Sequence, residues 1–145
     1  MKNVIPFIAA SMLCSCGFMT PAKQYAGDSK GVTDIAVLQS YAGTSFGDEY
    51  HATITGYMKI EANGSGEQKK FGLPGFTDYP SEIHVLPGEY EVQVYCFKGL
   101  SSHRPKITLT LQAGQTYLLK CDVRNDQAFI RINGGINGVS VVDFK

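Results

Sequence analysis

Tryptophan is absent from this 145-residue chain, and its aromatic content is carried by eight tyrosines and eight phenylalanines. An excess of charge is also lacking: 13 basic and 13 acidic residues cancel, and no basic cluster is longer than Lys69 and Lys70. That argues against a nucleic-acid partner, whose binding rests on several phosphate-neutralising cations set close together. Histidine is scarce. His51, His84 and His103 are scattered, with no His-x-x-x-His or Cys-x-x-Cys spacing, so a zinc site would need distant strands to converge. No Gly-x-Ser-x-Gly elbow presents a nucleophile, since Gly64, Ser65 and Gly66 form only half of one and come after Asn63 in a turn. Asp48 and Glu49 are neighbouring carboxylates in a loop, whereas a glycosidase needs its pair at a set separation across a cleft. The chain therefore reads as no enzyme: no catalytic residue, no metal and no organic cofactor is expected. Long helical patterns are missing as well, and no apolar run reaches the roughly 20 residues that span a bilayer.

What the N-terminus does contain is a short address. Lys2 supplies a positive start, and Val4 to Leu13 is an apolar run broken only by Pro6 and Ser11, which suits the apolar region of a secretory signal. Leu13, Cys14, Ser15 and Cys16 come next, and they resemble the bacterial lipobox, in which Leu and small residues precede the lipidated cysteine. Cys14 fits that role worse, because Leu13 would occupy the position reserved for a small residue. The resemblance implies a signal peptide over residues 1–15, lipidation at Cys16, and a tether over residues 16–31. The other reading is an ordinary signal peptide with incidental cysteines. Two or more acyl chains suffice for stable anchoring, at about 0.8 kcal/mol per buried methylene. Gly17 rather than Asp after the modified residue points to the outer membrane, facing the periplasm.

Residues 32–145 have the length of one domain, and period-two alternation dominates them. Thr53, Thr55, Tyr57, Lys59 and Glu61 alternate with Ile54, Gly56, Met58, Ile60 and Ala62. Ile83 and Val85 alternate with Glu82 and His84, which places His84 on an exposed face, and Pro87–Gly88 suits a type II turn closing a hairpin. Tyr90, Val92, Val94 and Cys96 form the clearest apolar face, set against Glu89, Glu91, Gln93 and Tyr95. Lys98 to Pro105 reads as a polar connection. Ile107 to Leu111, Tyr117 to Val123, Ala128 to Ile132 and Val139 to Phe144 bring the total, with Asp34 to Gln39, to seven or eight strands. The expected fold is all-β, a two-sheet antiparallel β-sandwich. A small barrel has the same alternation.

The pieces Tyr25-Ala26-Gly27, Ile35 to Leu38, Leu86-Pro87-Gly88 with Tyr90, Val92 and Val94, and Ala113 to Tyr117 occur in that order. Together they resemble a group of small bacterial envelope lipoproteins of unknown function. The middle piece is similar to the envelope β-domains called PEGA, although Glu61, Ala62 and Asn63 stand where those often carry Asp-Gly. The resemblance implies an Ig-like or PEGA-like sandwich and no assigned activity.

Export leaves Cys96 and Cys121 as the two free thiols, and an oxidising compartment favours a bridge between them. Two buried free thiols are the alternative. A bridge needs Cα atoms roughly 4.4 to 6.8 Å apart. It therefore requires the two strands to be neighbours or to face each other across the sheets, with Ile107 to Leu111 displaced. Phe71, Leu73, Phe76 and Tyr79, spaced by Gly72, Pro74, Gly75 and Thr77, form a candidate binding loop, or fold back as a plug. Two functional classes stay open: a noncatalytic interaction or structural module facing an envelope protein or glycan, or an inhibitor-like lipoprotein or hydrolase with an unrecognised site. Replacing Cys16 by Ser should abolish incorporation of labelled fatty acid and release the protein from the membrane fraction, and unchanged acylation would contradict the lipobox.

Overall fold

The computed structural model describes residues 21–43, 49–64, 66–72, 79–124, 127–134 and 140–142, the last two stretches by backbone alone. Cys16, Leu73 and Phe76 lie outside them. Among the described residues there is no helix, and eleven strands form two sheets. The strands are β1 (Ala22–Lys23), β2 (Ala36–Gln39), β3 (His51–Lys59), β4 (Gln68–Lys70), β5 (Glu82–Val85), β6 (Gly88–Lys98), β7 (Ser101–His103), β8 (Lys106–Leu111), β9 (Thr116–Arg124), β10 (Gln127–Gly134) and β11 (Ser140–Val142). One sheet has the order β1-β5-β2-β9-β10-β11, and the other runs β4-β3-β6-β7, with β8 also paired to β6. Pairing is mostly antiparallel. The exceptions are β1 with β5 and β2 with β9, which run parallel.

Alternation decides which side chains meet between the sheets. Ala36, Leu38, Ile83, Val85, Tyr117, Leu119 and Cys121 come from the first sheet, and Ala52, Ile54, Tyr57, Tyr90, Val92, Val94, Cys96, Ile107, Leu109 and Leu111 from the second; they form one buried cluster. Strand β8 shows the rule in its simplest form, with Ile107, Leu109 and Leu111 buried and Lys106, Thr108 and Thr110 exposed. Each large aliphatic side chain so buried is worth about 1.5 to 3 kcal/mol.

Strand β3 breaks the strict alternation. Its register with β6 slips between Ile54 and Gly56, and such a bulge inserts one residue and reverses the facing of the residues beyond it. Ala52 and Ile54 point inward before it, and Tyr57, not Met58, points inward after it, at 4 % exposure. An unbroken pattern puts Tyr57 on the face opposite Ile54, and the bulge corrects this. Gly56 makes the slip compatible with β4: a Cβ there would stand 2.7 Å from the Lys69 carbonyl oxygen.

The Pro87–Gly88 turn does not close a hairpin. Strand β5 belongs to the first sheet and β6 to the second, so Leu86 to Gly88 is a corner that carries the chain between them. Side chains satisfy the corner's polar groups where a ladder cannot. The Tyr90 hydroxyl donates to the Leu86 carbonyl at 2.8 Å, and the Leu86 N–H donates to Gln24 Oε1 at 3.2 Å. A tyrosine bonded back to the backbone a few residues upstream, where a strand enters its sheet, is the tyrosine corner of β-sandwiches. Gln24 directly follows β1, so the stretch read as a tether contributes both an edge strand and a brace for this corner.

The segment read as a polar connection also contains a strand, since β7 pairs with the end of β6 around the Gly99–Leu100 turn. Strands of two or three residues, such as β1, β4 and β7, are too short to show a period.

Burial pushes the Tyr90 hydroxyl up to about 12, with the neighbouring Tyr57 adding to the effect. The unfolded chain releases this proton near pH 10, so above that pH the native state holds more protons than the unfolded state and stability falls as pH rises. The contribution is therefore complete below about pH 10 and is lost on approaching about pH 12. Tyr90→Phe should cost about 1 to 2 kcal/mol at neutral pH by removing the corner bond. Urea unfolding at neutral and alkaline pH should show a shallower alkaline loss in the variant than in the parent.

Candidate functional site

A disulfide crosses the centre of the molecule. Cys96 on β6 and Cys121 on β9 form a disulfide between the two sheets, with Cα atoms 5.8 Å apart and a sequence separation of 25. Of the two arrangements that permit a bridge, the chain uses the one in which the strands face each other. Strand β8 lies on the far edge of β6 in the Cys96 sheet, so the path from Leu111 to Thr116 crosses to the other layer. Two isolated bridges, Tyr41 with Ala52 and Tyr50 with Cys121, bind the layers further.

Side chains on the outer face of the second sheet are organised differently. His51 and Phe97 are directly opposed in the register of β3 and β6, and their rings stack at 4.6 Å with 6° between planes. Tyr95, two residues back on the same face, stacks on Phe97 at 5.3 Å and 24°. The Arg104 guanidinium covers Tyr95 at 5.2 Å, a contact worth about 0.5 to 1 kcal/mol at an exposed site. The result is a continuous stack, His51–Phe97–Tyr95–Arg104, on a sheet held rigid from behind by Cys96.

The stack ends at a groove. His51 and Thr53 on β3 line one side of a hollow of about 290 Å³, and Ser40, Tyr41, Ala42, Tyr79, Pro80 and Ser81 complete it. Phe97 approaches His51 from the β6 side, whereas Tyr41 exchanges two backbone hydrogen bonds with Ala52 from the opposite edge of β3. The groove therefore lies on the side of His51 away from the stack. Ser40 holds the floor: its hydroxyl donates to the Pro80 carbonyl and accepts from the Ile54 N–H, both at 3.2 Å. Tyr41 is fixed by Lys120, whose ammonium sits 4.1 Å from its ring centre, and by a hydrogen bond to Glu49. That bond to a carboxylate raises the Tyr41 hydroxyl above its ordinary value. The Tyr79 hydroxyl is buried and has no hydrogen-bond partner.

A second hollow, of about 260 Å³, is lined by Lys23, Gln24, Tyr57, Lys59, Glu61, Glu67 and Lys69. Its five charged residues are of both signs. On the outer face of the first sheet His84 is half-buried rather than free, 2.6 Å from Glu82. Burial alone would raise the Glu82 carboxyl, but bonds from Gln39 and His84 outweigh it and lower the pKa. His103 stands edge-on to Tyr50 at 6.3 Å. Among the described residues no three His, Cys, Asp or Glu side chains come together.

Compared with protein-family models, with curated proteins and with solved structures, the chain matches none.

The residues of the expected binding loop are divided by the fold. Phe71 packs on the core, 5.8 Å from the Tyr57 ring, whereas Tyr79 lines the groove. Leu73 and Phe76 lie outside the described residues. Sequence patterning does not assemble the aromatic stack, although Tyr95 on the polar face of the clearest strand, with Phe97 two residues on, is its visible trace. The partners His51 and Arg104 depend on register.

Removing the bridge by Cys96→Ala with Cys121→Ala should lower stability by about 3.5 kcal/mol, the chain-entropy value for a loop of this size. Denaturant titration of the oxidised protein against the double variant measures it. Equal midpoints would show that the core alone sets the packing of the layers.

Proposed function

We propose that this chain is an exported lipoprotein, held at the outer membrane by acyl chains on Cys16, whose Ig-like or PEGA-like sandwich is a noncatalytic module for binding a component of the cell envelope. What carries this reading is the outward-facing stack of His51, Phe97, Tyr95 and Arg104 beside a groove. Rigid aromatic side chains that remain at the surface contribute contact area at little entropic cost, and they concentrate at recognition sites. The stack rests on strands rather than loops, which keeps its geometry fixed.

Three further observations support the reading. The Cys96–Cys121 bridge suits an oxidising compartment. The tyrosine corner and the shared core of two sheets suit a sandwich of the Ig or PEGA kind. The hydroxyl–imidazole pair of Ser101 Oγ and His103 Nε2, 3.3 Å apart, is exposed on β7 rather than set in either hollow, which favours recognition over turnover.

The test is affinity capture of the intact lipoprotein from native envelope membranes, in parallel with Phe97→Ser, which removes the middle ring from an outer face without touching the core. The parent should retain an envelope glycan or protein that the variant loses. Equal recovery by both, or turnover of an envelope substrate by the purified protein, would overturn the proposal.

A further inference from the structure

We infer that the groove beside His51 is a carbohydrate subsite, taking one neutral sugar ring against the open side of the imidazole. The inference rests on the binding-module reading and adds the ligand class.

The lining of the groove carries the argument. No Lys, Arg, Asp or Glu lines it. An anionic or cationic ligand would lose its hydration and find no counter-charge there. The other hollow shows the contrast, with three lysines and two glutamates on its walls. What the groove does offer is hydroxyls and aromatic rings. Among the described residues, Thr53 and Ser81 make no side-chain hydrogen bond, and the Tyr79 hydroxyl is buried without one. An apolar ring, such as a peptide phenylalanine, would cover the same hydroxyls and satisfy none of them.

Shape points the same way. A sugar ring presents C–H bonds on one face and hydroxyls around its rim. The C–H face matches the negative face of an aromatic ring, and the rim matches Thr53 and Ser81. His51 is already immobilised by Phe97, with Tyr95 and Arg104 behind it, which spares the ordering cost of about 0.5 to 1.5 kcal/mol that a mobile side chain would incur on binding. At about 290 Å³ the hollow is at the small end of ligand pockets. It therefore fits a single ring of a longer glycan, the remainder lying outside.

The full chain should be titrated calorimetrically with cellohexaose, chitohexaose, xylohexaose and maltohexaose, and with N-acetyltyrosinamide and inorganic phosphate for contrast. Saturable binding to at least one neutral oligosaccharide is expected, weakened about tenfold by His51→Ala, which corresponds to about 1.4 kcal/mol. Ser81→Ala and Thr53→Val change the shape of the groove little and should each weaken binding by about threefold to tenfold. If His51→Ala disturbs the sheet, these two variants decide the matter. Affinity should barely change as salt is raised, because no ion pair forms. Absence of saturable oligosaccharide binding, retention of full affinity by Ser81→Ala and Thr53→Val, or binding to N-acetyltyrosinamide or phosphate alone would overturn the subsite. Failure here with capture from membranes still successful leaves the module reading standing. Cleavage of a bound oligosaccharide would instead uphold the subsite and overturn the noncatalytic reading.

Discussion

Everything in this molecule depends on β6 and β9 facing each other. They are among the longest strands, one in each sheet, and the Cys96–Cys121 bond joins them through the core. A chain of this length buries a limited apolar area, which makes a covalent link between layers energetically important. The link also sets the topology. Because Cys121 must lie across from Cys96, β8 cannot lead into β9 as a hairpin, and the chain changes sheet after Leu111 as it does after Val85. The corner at Leu86 to Gly88 is thus one of a series of crossings that alternate the strands between layers, and side chains from distant segments, Gln24 and Tyr90, complete its hydrogen bonds.

The same arrangement explains how an aromatic stack arises on the outer face of an otherwise ordinary sheet. Cys96 turns inward and is tied down, so its neighbours Tyr95 and Phe97 must turn outward. The antiparallel register places His51 opposite Phe97, and the hairpin of β7 brings Arg104 back over Tyr95. Further along β3, the bulge reverses the facing so that Tyr57 enters the core beside Tyr90, at 6.1 Å between ring centres. Without the slip that ring would join the outer face and Tyr90 would lose its edge-on partner in the core. The bulge thus divides β3 into a half whose aromatic residue serves the surface and a half whose aromatic residue serves stability.

Much of this is legible in the chain, and the limits have physical causes. Alternation finds the inward faces of β5, β6, β8 and β9, because those strands are regular and half-exposed, and the count of cysteines after the N-terminal segment anticipates the bridge. Alternation fails at Tyr57, since a bulge leaves no mark in periodicity beyond a glycine. Pro87–Gly88 reads as a hairpin turn because its dihedral preferences are those of a turn; what the turn joins depends on which sheet has room for the next strand. His51, Phe97, Tyr95 and Arg104 cannot be assembled from sequence, because spacing along a strand says nothing of its neighbours. Tyr79 stands out in sequence for its setting among Gly and Pro, yet what gives it interest is an unpartnered hydroxyl, which only the folded chain reveals.

Strand β2 has a mechanical consequence. It lies between β5 and β9, bonded antiparallel on one side and parallel on the other, and it is the segment through which the chain passes from β1 to β3. Tension applied between the N-terminal side of the domain and His51 therefore travels along β2, while the closed loop from Cys96 to Cys121 lies off the covalent path between those points. A two-residue contact such as β1 on β5 yields first and acts as a short leash. Strand β2 then resists as two ladders sheared together, so the domain would extend by a few residues before its core felt any force.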